Sequence, residues 1–596
     1  MQKYEKCYYF CTLFKMMKRT LVILWLLLFF GACARIVIPT GGAKDTVPPK
    51  VTAEHPENQS LFFNAKTIRI TFDEYVTLNN PVENIIFSPP LSHNPEYLIS
   101  GKSLIIKLKD TLLPNKTYNV VFVNAIKDFH ENNLLNLYQY TFSTGAFIDS
   151  CMLQGNLINA ETLEPETGVY VFLYEDDIDS LPLIAKPTYL TKTQKGGTFT
   201  FQNIANKTYK IFALKDINGN LIFDLPNEGI AFLDTLQAAY PIPIKDTMKK
   251  QTDTLNRDLI DTVNKKQTDA LLKKELRLYY FMEEDTVQRL ERPQNPQKNI
   301  YKIIYKMPVN TFIVRQLTPQ KKMDYFEVYN PQKDTITWYF KTNIPDSLVF
   351  EIQTDAQRTD TVLLKPFKAP AAQSGGRGRR AVAVPKLNVT HSHAGSLFVP
   401  LTLHFSFPVQ SVDTFPVTVI SNKKSGGDTT HYYYSIPDTF TISLPLVFSL
   451  EEKVPYVVLI KDSLFFGFDG TTNDSIKINF TAKSERDYGN LLMNYKLKGS
   501  SSPHIILLLD SRKNIVQQDI ISSSQSISYK NLNPGEYKIK VIEDVNGNGK
   551  WDTGSYAKKR QPEKIFFFNK SITIRGYWDL EETFDMDAVK SKMIIE

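Results

Sequence analysis

Phe201-Gln-Asn-Ile-Ala-Asn-Lys-Thr-Tyr209-Lys-Ile211 lies over Tyr529-Lys-Asn-Leu-Asn-Pro-Gly-Glu-Tyr537-Lys-Ile539 without a gap. The register continues through Asp216-Ile-Asn218-Gly-Asn220 against Asp544-Val-Asn546-Gly-Asn548, and still holds at Asp224 against Asp552. One offset through two strand-like runs and a loop argues for duplication of a folded unit. The first copy also holds Val169-Tyr-Val-Phe-Leu-Tyr174 and Tyr209-Lys-Ile-Phe-Ala-Leu214. Such short runs of β-branched and aromatic residues, bounded by turn residues, predict strands. The unit is expected to be a β-sandwich over residues 147–234, repeated over 485–596.

The same signal extends outward. Thr67-Ile-Arg-Ile-Thr-Phe72 alternates with period two, and Leu104–Leu108, Tyr118–Val123 and Tyr140–Gly145 follow it. Strands at that spacing over residues 49–145 predict an Ig-like sandwich. A weaker copy of it is expected over 386–484, with Leu401–Phe407, Tyr456–Ile460 and Ile476–Thr481 in the matching places. Between the two pairs, Ile300–Tyr305 and Thr337–Phe340 predict a further sandwich over 275–367. Two linkers separate the modules. Residues 235–274 are polar, with Leu255, Leu259 and Val263 on one potential helix face that Thr and Asn weaken. Residues 368–385 include the Pro/Gly/Ser run Ala369–Arg380. The fold class is all-β, five sandwiches in a row forming an elongated body.

At 596 residues the chain exceeds what one hydrophobic core can organise. Its 30 Tyr, 38 Phe and 33 Pro favour strands over long helices. The net charge of +7 is small and spread along the chain, which leaves no nucleic-acid footprint.

Lys18 and Arg19 precede the apolar run Leu21–Phe30, which ends at Gly31-Ala32-Cys33. A run of about ten residues is too short to span a bilayer and fits the core of an export signal. Gly31-Ala32-Cys33 resembles the lipobox of bacterial lipoproteins, with Phe30 where Leu is usual. The resemblance implies cleavage after residue 32, lipidation of Cys33 and a tether over 33–48. Of the four cysteines, Cys7 and Cys11 would leave with the signal, and a lipidated Cys33 leaves Cys151 without a partner. A disulfide framework is therefore not expected. Met16 or Met17 would serve equally as the start. Ala34-Arg35-Ile36 after Cys33 carries neither an Asp nor an acidic cluster, so the expected place is the cell outer membrane, on either face.

Three further resemblances bear on family. Val47–Val51 (VPPKV), Ile68–Val76 (IRITFDEYV), Leu112–Phe122 (LLPNKTYNVVF) and Tyr140–Gly145 (YTFSTG) together resemble the bacterial Ig-like domain named after the S-layer protein SbsA. The order of strand, Phe-Gln-Asn-Ile, turn and Tyr-Lys-Ile resembles the transthyretin-like, carboxypeptidase-regulatory sandwich. Asp544–Glu563 (DVNGNGKWDTG…QPE) is similar to a segment of Bacteroidota Ig-like lipoproteins. Asp followed by Ser or Thr and then an aliphatic residue, Met or Thr recurs, as at Thr46, Thr111, Ser180, Thr235, Thr254 and Thr361. It is similar to the O-glycosylation signal of exported Bacteroidota proteins, although Asp-Thr-Val also simply opens strands after turns.

Asp544, Asn546, Asn548 and Asp552 stand at positions 1, 3, 5 and 9 of an EF-hand-type calcium loop, with Gly549 at position 6. Ser555 replaces the acid expected at position 12. In the first copy Asp216, Asn218, Asn220 and Asp224 repeat the pattern, with Leu221 in place of the glycine and Glu228 one place past position 12. A hairpin loop accounts for the same residues, because Asn-Gly supplies positive φ and Asp caps the turn. No cofactor other than this calcium is expected.

Nothing catalytic stands out. Gly101-Lys102-Ser103 lacks the upstream glycine of a phosphate loop, Glu96 standing there. His391 and His393 have no evident third metal ligand. Asp73-Glu74, Arg377-Gly-Arg379-Arg380 and Tyr432-Tyr433-Tyr434 read more simply as solvated or core-plus-surface residues. The expected function is a non-enzymatic envelope lipoprotein for adhesion, scaffolding or presentation, held to the outer membrane by its lipid and meeting a protein or glycan partner. The alternatives are a surface glycan-binding protein of a polysaccharide uptake system and a non-catalytic accessory subunit of an envelope enzyme.

Overall fold

The computed structural model describes residues 45–242, 276–285, 287–354, 359–367, 386–423, 426–436, 440–497, 502–586 and 588. Cys33 and the export signal, most of both linkers, and the motif residue Thr254 lie outside the described residues. The regular structure of the described chain is almost entirely β-strand, as expected for an all-β fold. Among the described residues no helix is long and apolar enough to cross a membrane. The chain divides into two compact units, Met1–Ile148 and Asp149–Glu596.

The first unit is a two-sheet sandwich. One sheet has the order β1 (Val51–His55), β2 (Thr67–Phe72), β6 (Ser103–Lys107), β5 (Glu96–Ser100). The other sets β7 (Thr117–Asp128) between β3 (Val76–Leu78) and β4 (Ile85–Ser88), and β8 (Leu134–Ser143) also pairs with β7. The period-two reading of β2 holds: Ile68, Ile70 and Phe72 are buried while Thr67 and Arg69 are exposed. Register sets Ile68 opposite Ile106 and Ile70 opposite Leu104, so both strands turn apolar side chains to one core. Burying each such side chain contributes roughly 1.5–3 kcal/mol.

The second unit begins with β9 (Cys151–Asn159), β10 (Tyr170–Tyr174), β11 (Tyr189–Lys192), β12 (Thr198–Ile204), β13 (Thr208–Leu214), β14 (Gly229–Phe232), β15 (Gln237–Ala238), β16 (Tyr240–Pro241) and β17 (Leu276–Met282). One expectation is corrected here. Leu276–Met282 was read as opening the next sandwich, but it pairs in parallel with β9 and antiparallel with β14, and so completes this one. Its apolar face (Leu276, Leu278 and Tyr280) enters the core formed by β9–β14.

Two further sandwiches follow. The first contains β18 (Gln294–Gln297), β19 (Ile300–Ile304), β20 (Phe312–Thr318), β21 (Tyr325–Tyr329), β22 (Thr335–Phe340), β23 (Leu348–Thr354) and β24 (Thr359–Leu364), packed around Trp338 and Phe350. The next contains β25 (Val389–Ser392), β26 (Leu401–Val412), β27 (Val417–Lys423), β28 (Gly426–Tyr432), β29 (Thr441–Leu446), β30 (Pro455–Ile460), β31 (Phe465–Gly467) and β32 (Ile476–Thr481). It repeats the first unit's pairings: β25 with β26, β26 with β29, β27 with β30 and β30 with β32 match β1 with β2, β2 with β6, β4 with β7 and β7 with β8. Both also share a corner. The Tyr118 hydroxyl accepts the Leu113 N–H, the Tyr456 hydroxyl accepts the Glu451 N–H, and Asn115 and Lys453, three residues before each tyrosine, have positive φ.

The chain ends with β33 (Gly489–Lys496), β34 (His504–Asp510), β35 (Ile515–Ile521), β36 (Gln525–Leu532), β37 (Gly535–Glu543), β38 (Ile565–Phe567), β39 (Ile572–Ile574) and β40 (Asp579–Asp585). Six pairings coincide with those of the earlier copy. β34 pairs with β35 and β37, β36 with β33, β37 with β38 and β39, and β40 runs parallel to β33. Their counterparts are β10 with β11 and β13, β12 with β9, β13 with β14 and β15, and β17 parallel to β9. Asn203 and Asn531, aligned in sequence, both take positive φ. The duplication read in the sequence is therefore a duplication of topology.

Within the second unit the sandwiches are not independent beads. Phe326 lies 4.7 Å from Phe440, and Tyr339 lies 5.3 Å from Phe407, across the seam of the two middle sandwiches. Phe398 meets Tyr488 at 5.0 Å where the last sandwich begins. A fourth contact joins the two copies of the duplicated sandwich, which are far apart in sequence.

Candidate functional site

The paired Asp–Asn–Gly loops and the seam beside them form the candidate site. In the last sandwich Asp544 directly follows β37 and is fully buried, and its carboxylate accepts the N–H groups of Gly547, Asn548 and Gly549 at 2.7–3.1 Å. Asn546 accepts from the Asn548 N–H and Asn548 from the Lys550 N–H. The Asn546 and Asn548 amide nitrogens both donate to Asp552, at 2.5 and 2.6 Å. The first copy repeats this network. Asp216 accepts from Gly219 and Leu221, both at 2.8 Å, and Asn218 and Asn220 donate to Asp224 at 3.0 and 2.8 Å.

A glutamate closes each loop: Glu228, noted in the sequence one place past position 12, and Glu563, which the sequence reading did not connect to its loop. Glu228, fully buried, accepts the N–H groups of Ile217 and Asp224. Glu563 accepts those of Val545 and Asp552 at 2.7 and 3.0 Å. Each glutamate follows a proline, Pro226 two places before Glu228 and Pro562 directly before Glu563. Burial, with Asp552 and Asp544 close by, pushes the Glu563 carboxyl above the usual carboxylate range.

The predicted calcium residues Asp544, Asn546, Asn548 and Asp552, and Asp216, Asn218, Asn220 and Asp224, are thus brought together in each copy. Their oxygens meet N–H groups, and amide nitrogens face the position-9 carboxylate. Among the described residues no group of three or more His, Cys, Asp or Glu side chains is placed to hold a metal ion. The loops do what hairpin caps do: they satisfy backbone donors that would otherwise be stranded.

The copies part company after the loop. In the first, Glu228 lies four positions after Asp224; in the second, Glu563 lies eleven positions after Asp552. The longer segment is an arm that docks on the first copy. Tyr556, almost fully buried, stacks edge-on against Phe212 at 5.0 Å and Phe232 at 5.1 Å, and its hydroxyl donates to the Asp179 carbonyl at 2.8 Å. Thr553 donates to the Met282 carbonyl and Gln561 to that of Phe232. Lys559 pairs with Asp179, which also holds Lys210; these two cations keep the Asp179 carboxyl below its usual range. Gly554 is required by close approach, since a Cβ there would lie 2.4 Å from the Phe281 ring. Lys540 reaches Glu161 at 3.6 Å across the same seam. Beside the arm the copies leave a cavity of about 510 Å³, lined by Leu163, Phe232, Arg277, Tyr279, Glu543 and Phe566 among others.

The remaining motifs are placed as follows. Lys102 donates to the Asp73 carbonyl, and Ser103 bonds Thr71. Tyr433 is exposed, whereas Tyr432 and Tyr434 pack against the core. The His404 ring bonds Ser392, between His391 and His393. Thr46, Thr111, Ser180, Thr235 and Thr361 are exposed.

Comparison with known proteins gives the following. The family model described as bacterial Ig-like domain (Big_5) matches residues 45–144. No curated protein matches the chain. Among solved structures, the N-terminal part of the bacterial S-layer protein SbsC is similar at 14% identity, over 30% of this chain and 42% of that one, with a TM-score of 0.13. The major pilin subunit BcpA of Bacillus cereus is similar at 8% identity, over 73% and 99% of the two chains, with a TM-score of 0.15. The glucan-utilization protein SGBP-B of Bacteroides ovatus is similar at 7%, over 70% and 93%, with a TM-score of 0.16. Scores this low carry no argument. The family match, in contrast, agrees with the sandwich seen over the same residues: the chain carries a bacterial Ig-like domain at 45–144.

Proposed function

We propose that this protein is a lipid-anchored, non-catalytic component of the cell envelope that scaffolds or presents other surface components. The duplicated sandwiches, which we read as transthyretin-like, supply a braced body. The observation that carries this reading is the arm at 553–563. The most distinctive segment of the sequence joins one copy to the other through Tyr556, Thr553 and Gln561, so its chemistry serves internal bracing. Support for the anchor comes from Lys18, Arg19, the apolar run and Gly31-Ala32-Cys33. Acyl chains on one cysteine would hold the protein at an outer-membrane surface, each buried methylene contributing about 0.8 kcal/mol.

The test is metabolic labelling of the native host with an alkyne fatty acid. Wild-type protein is expected to take the label and Cys33→Ser to lose it, and protease treatment of whole cells then tells the two membrane faces apart. Recovery of unlabelled envelope protein with a free Cys33 thiol overturns the reading.

A further inference from the structure

Just before β40 the segment Arg575-Gly-Tyr-Trp578 is clamped against the turn Glu485–Asp487 and the start of β33. The Tyr577 N–H donates to the Tyr488 carbonyl and the Asn490 N–H to that of Trp578, both at 2.8 Å. Gly576 allows the close approach, since a Cβ there would lie 2.6 Å from the Arg486 carbonyl oxygen. This frame holds Tyr577 at φ 61°, a left-handed conformation that bulky residues rarely adopt. Yet the side chains so placed are not buried: Tyr577 is 75% exposed and Trp578 51%. A fixed, strained backbone that turns large rings to solvent gains little from packing and marks a contact surface.

Each ring carries an arginine. The Arg486 guanidinium lies 5.3 Å from the centre of the Tyr577 ring, and that of Arg575 lies 4.8 Å from the Trp578 ring. Among the described residues neither guanidinium makes a hydrogen bond or an ion pair. Other ring-stacked cations differ: Lys102, Lys483 and Lys570 commit their ammonium groups to the Asp73 carbonyl, Asn533 and Glu582. The acids nearby are held by other donors. Glu452, which feels the Arg486 charge, accepts from the Ser484 hydroxyl and the Glu485 N–H. Asp487 accepts from the Ser484 N–H and Asp579 from the Asn490 amide.

A guanidinium fork without a partner is complementary to an oxyanion, and its plane matches a carboxylate. The negative face of an exposed ring is complementary to a flat array of C–H groups. Two ring–arginine units on one short segment therefore suit a chain that repeats a flat ring and a carboxylate. A nucleic-acid strand repeats ring and phosphate, but it is charged on every unit and needs an unbroken basic track. Glu452, Asp487 and Asp579 interrupt such a track here. A sugar chain charged on alternate units meets both conditions.

We propose that Arg575–Trp578, with Arg486, binds an acidic polysaccharide, its pyranose rings stacking on Tyr577 and Trp578 and its uronate carboxylates pairing with Arg486 and Arg575. This site goes beyond the scaffold role and does not depend on the lipid anchor.

The experiment uses full-length protein in detergent and a fluorescently labelled hyaluronan hexasaccharide, read by anisotropy. Unlabelled hyaluronan hexasaccharide, cellohexaose, hexathymidylate and phosphatidylglycerol mixed micelles serve as competitors. The labelled sugar is expected to bind and unlabelled hyaluronan to displace it, with the other three at least tenfold less effective. Trp578→Ala, Arg575→Gln and Arg486→Gln are each expected to weaken binding about tenfold. Raising salt from about 0.05 to 0.5 M should weaken it similarly, through screening. Lys496→Gln, the same charge change at the far end of β33, is expected to leave binding within twofold, and thermal melting checks that each variant is folded. Absence of binding, unchanged binding by folded Trp578→Ala or by both arginine variants, or equal displacement by cellohexaose each overturns the proposal. Equal displacement by hexathymidylate or by the micelles overturns it in favour of nucleic acid or a lipid surface.

Discussion

The two copies of the duplicated sandwich share strand pairings, a positive-φ asparagine and a self-capped Asp–Asn–Gly loop, yet one is host and the other guest. The host copy closes its loop on Glu228 within four residues, whereas the guest takes eleven to reach Glu563 and drives Tyr556 into the host's aromatic surface. The lesson is that the sheet frame and the loop caps were kept while a short length difference created a new interface. A buried aromatic and a few backbone acceptors form it.

The comparison breaks most severely at Tyr556. Tyr556→Ala removes a buried ring and its hydrogen bond and should cost about 3–4 kcal/mol. The expected result is a lower first transition in calorimetry and rapid proteolysis within 553–563; an unchanged melt would show that the arm does not hold the copies together. Next come the loop caps. Asp544→Ala removes a buried carboxylate and strands three part-buried N–H groups, while Asp216→Ala removes a half-buried carboxylate and strands two, one of them exposed. Losses of about 3 and about 1.5 kcal/mol are expected from denaturant melts, and equal losses would remove the asymmetry claimed for the two sites.

A smaller effect concerns the position where the copies differ in residue and agree in conformation. Leu221 holds φ 61° where Gly549 holds 76°. A left-handed leucine costs about 1 kcal/mol, so Leu221→Gly is expected to raise stability by up to that amount and Gly549→Ala to lower it similarly. Opposite signs in thermal melts would mean that the Leu221 side chain contributes more by packing than its backbone costs. The smallest expected change is with calcium. Because the loop oxygens are engaged by N–H groups, about 1 mM calcium should leave the melting temperature unchanged, whereas the tight sites of this loop type bind far below that concentration. A rise abolished by Asp552→Asn would assign the loops to the cation.

Strands such as Thr67–Phe72, the duplication, and the loops at Asp216 and Asp544 were legible because each depends on residues close in sequence. Alternation fixes which side chains share a face, and Asn-Gly and Asp fix a turn. Glu563 was not legible as a loop anchor, since its partners Val545 and Asp552 lie 18 and 11 residues away across an insertion of variable length. Leu276–Met282 was assigned to the wrong sandwich because a polar stretch separates it from β9, and parallel pairing leaves no turn signal between partners. The ring–arginine pair of Tyr577 and Arg486 was equally hidden, for the two meet only where β40 returns beside β33.

By itself, then, the sequence determined an all-β chain with a repeated sandwich and two self-capping loops, because period-two burial and left-handed turn residues act through neighbouring backbone. Only tertiary structure decided that the arm would seat on the first copy, where Tyr556 meets Asp179 across 377 residues. That contact requires two finished aromatic surfaces, and surfaces exist only once the sheets have folded.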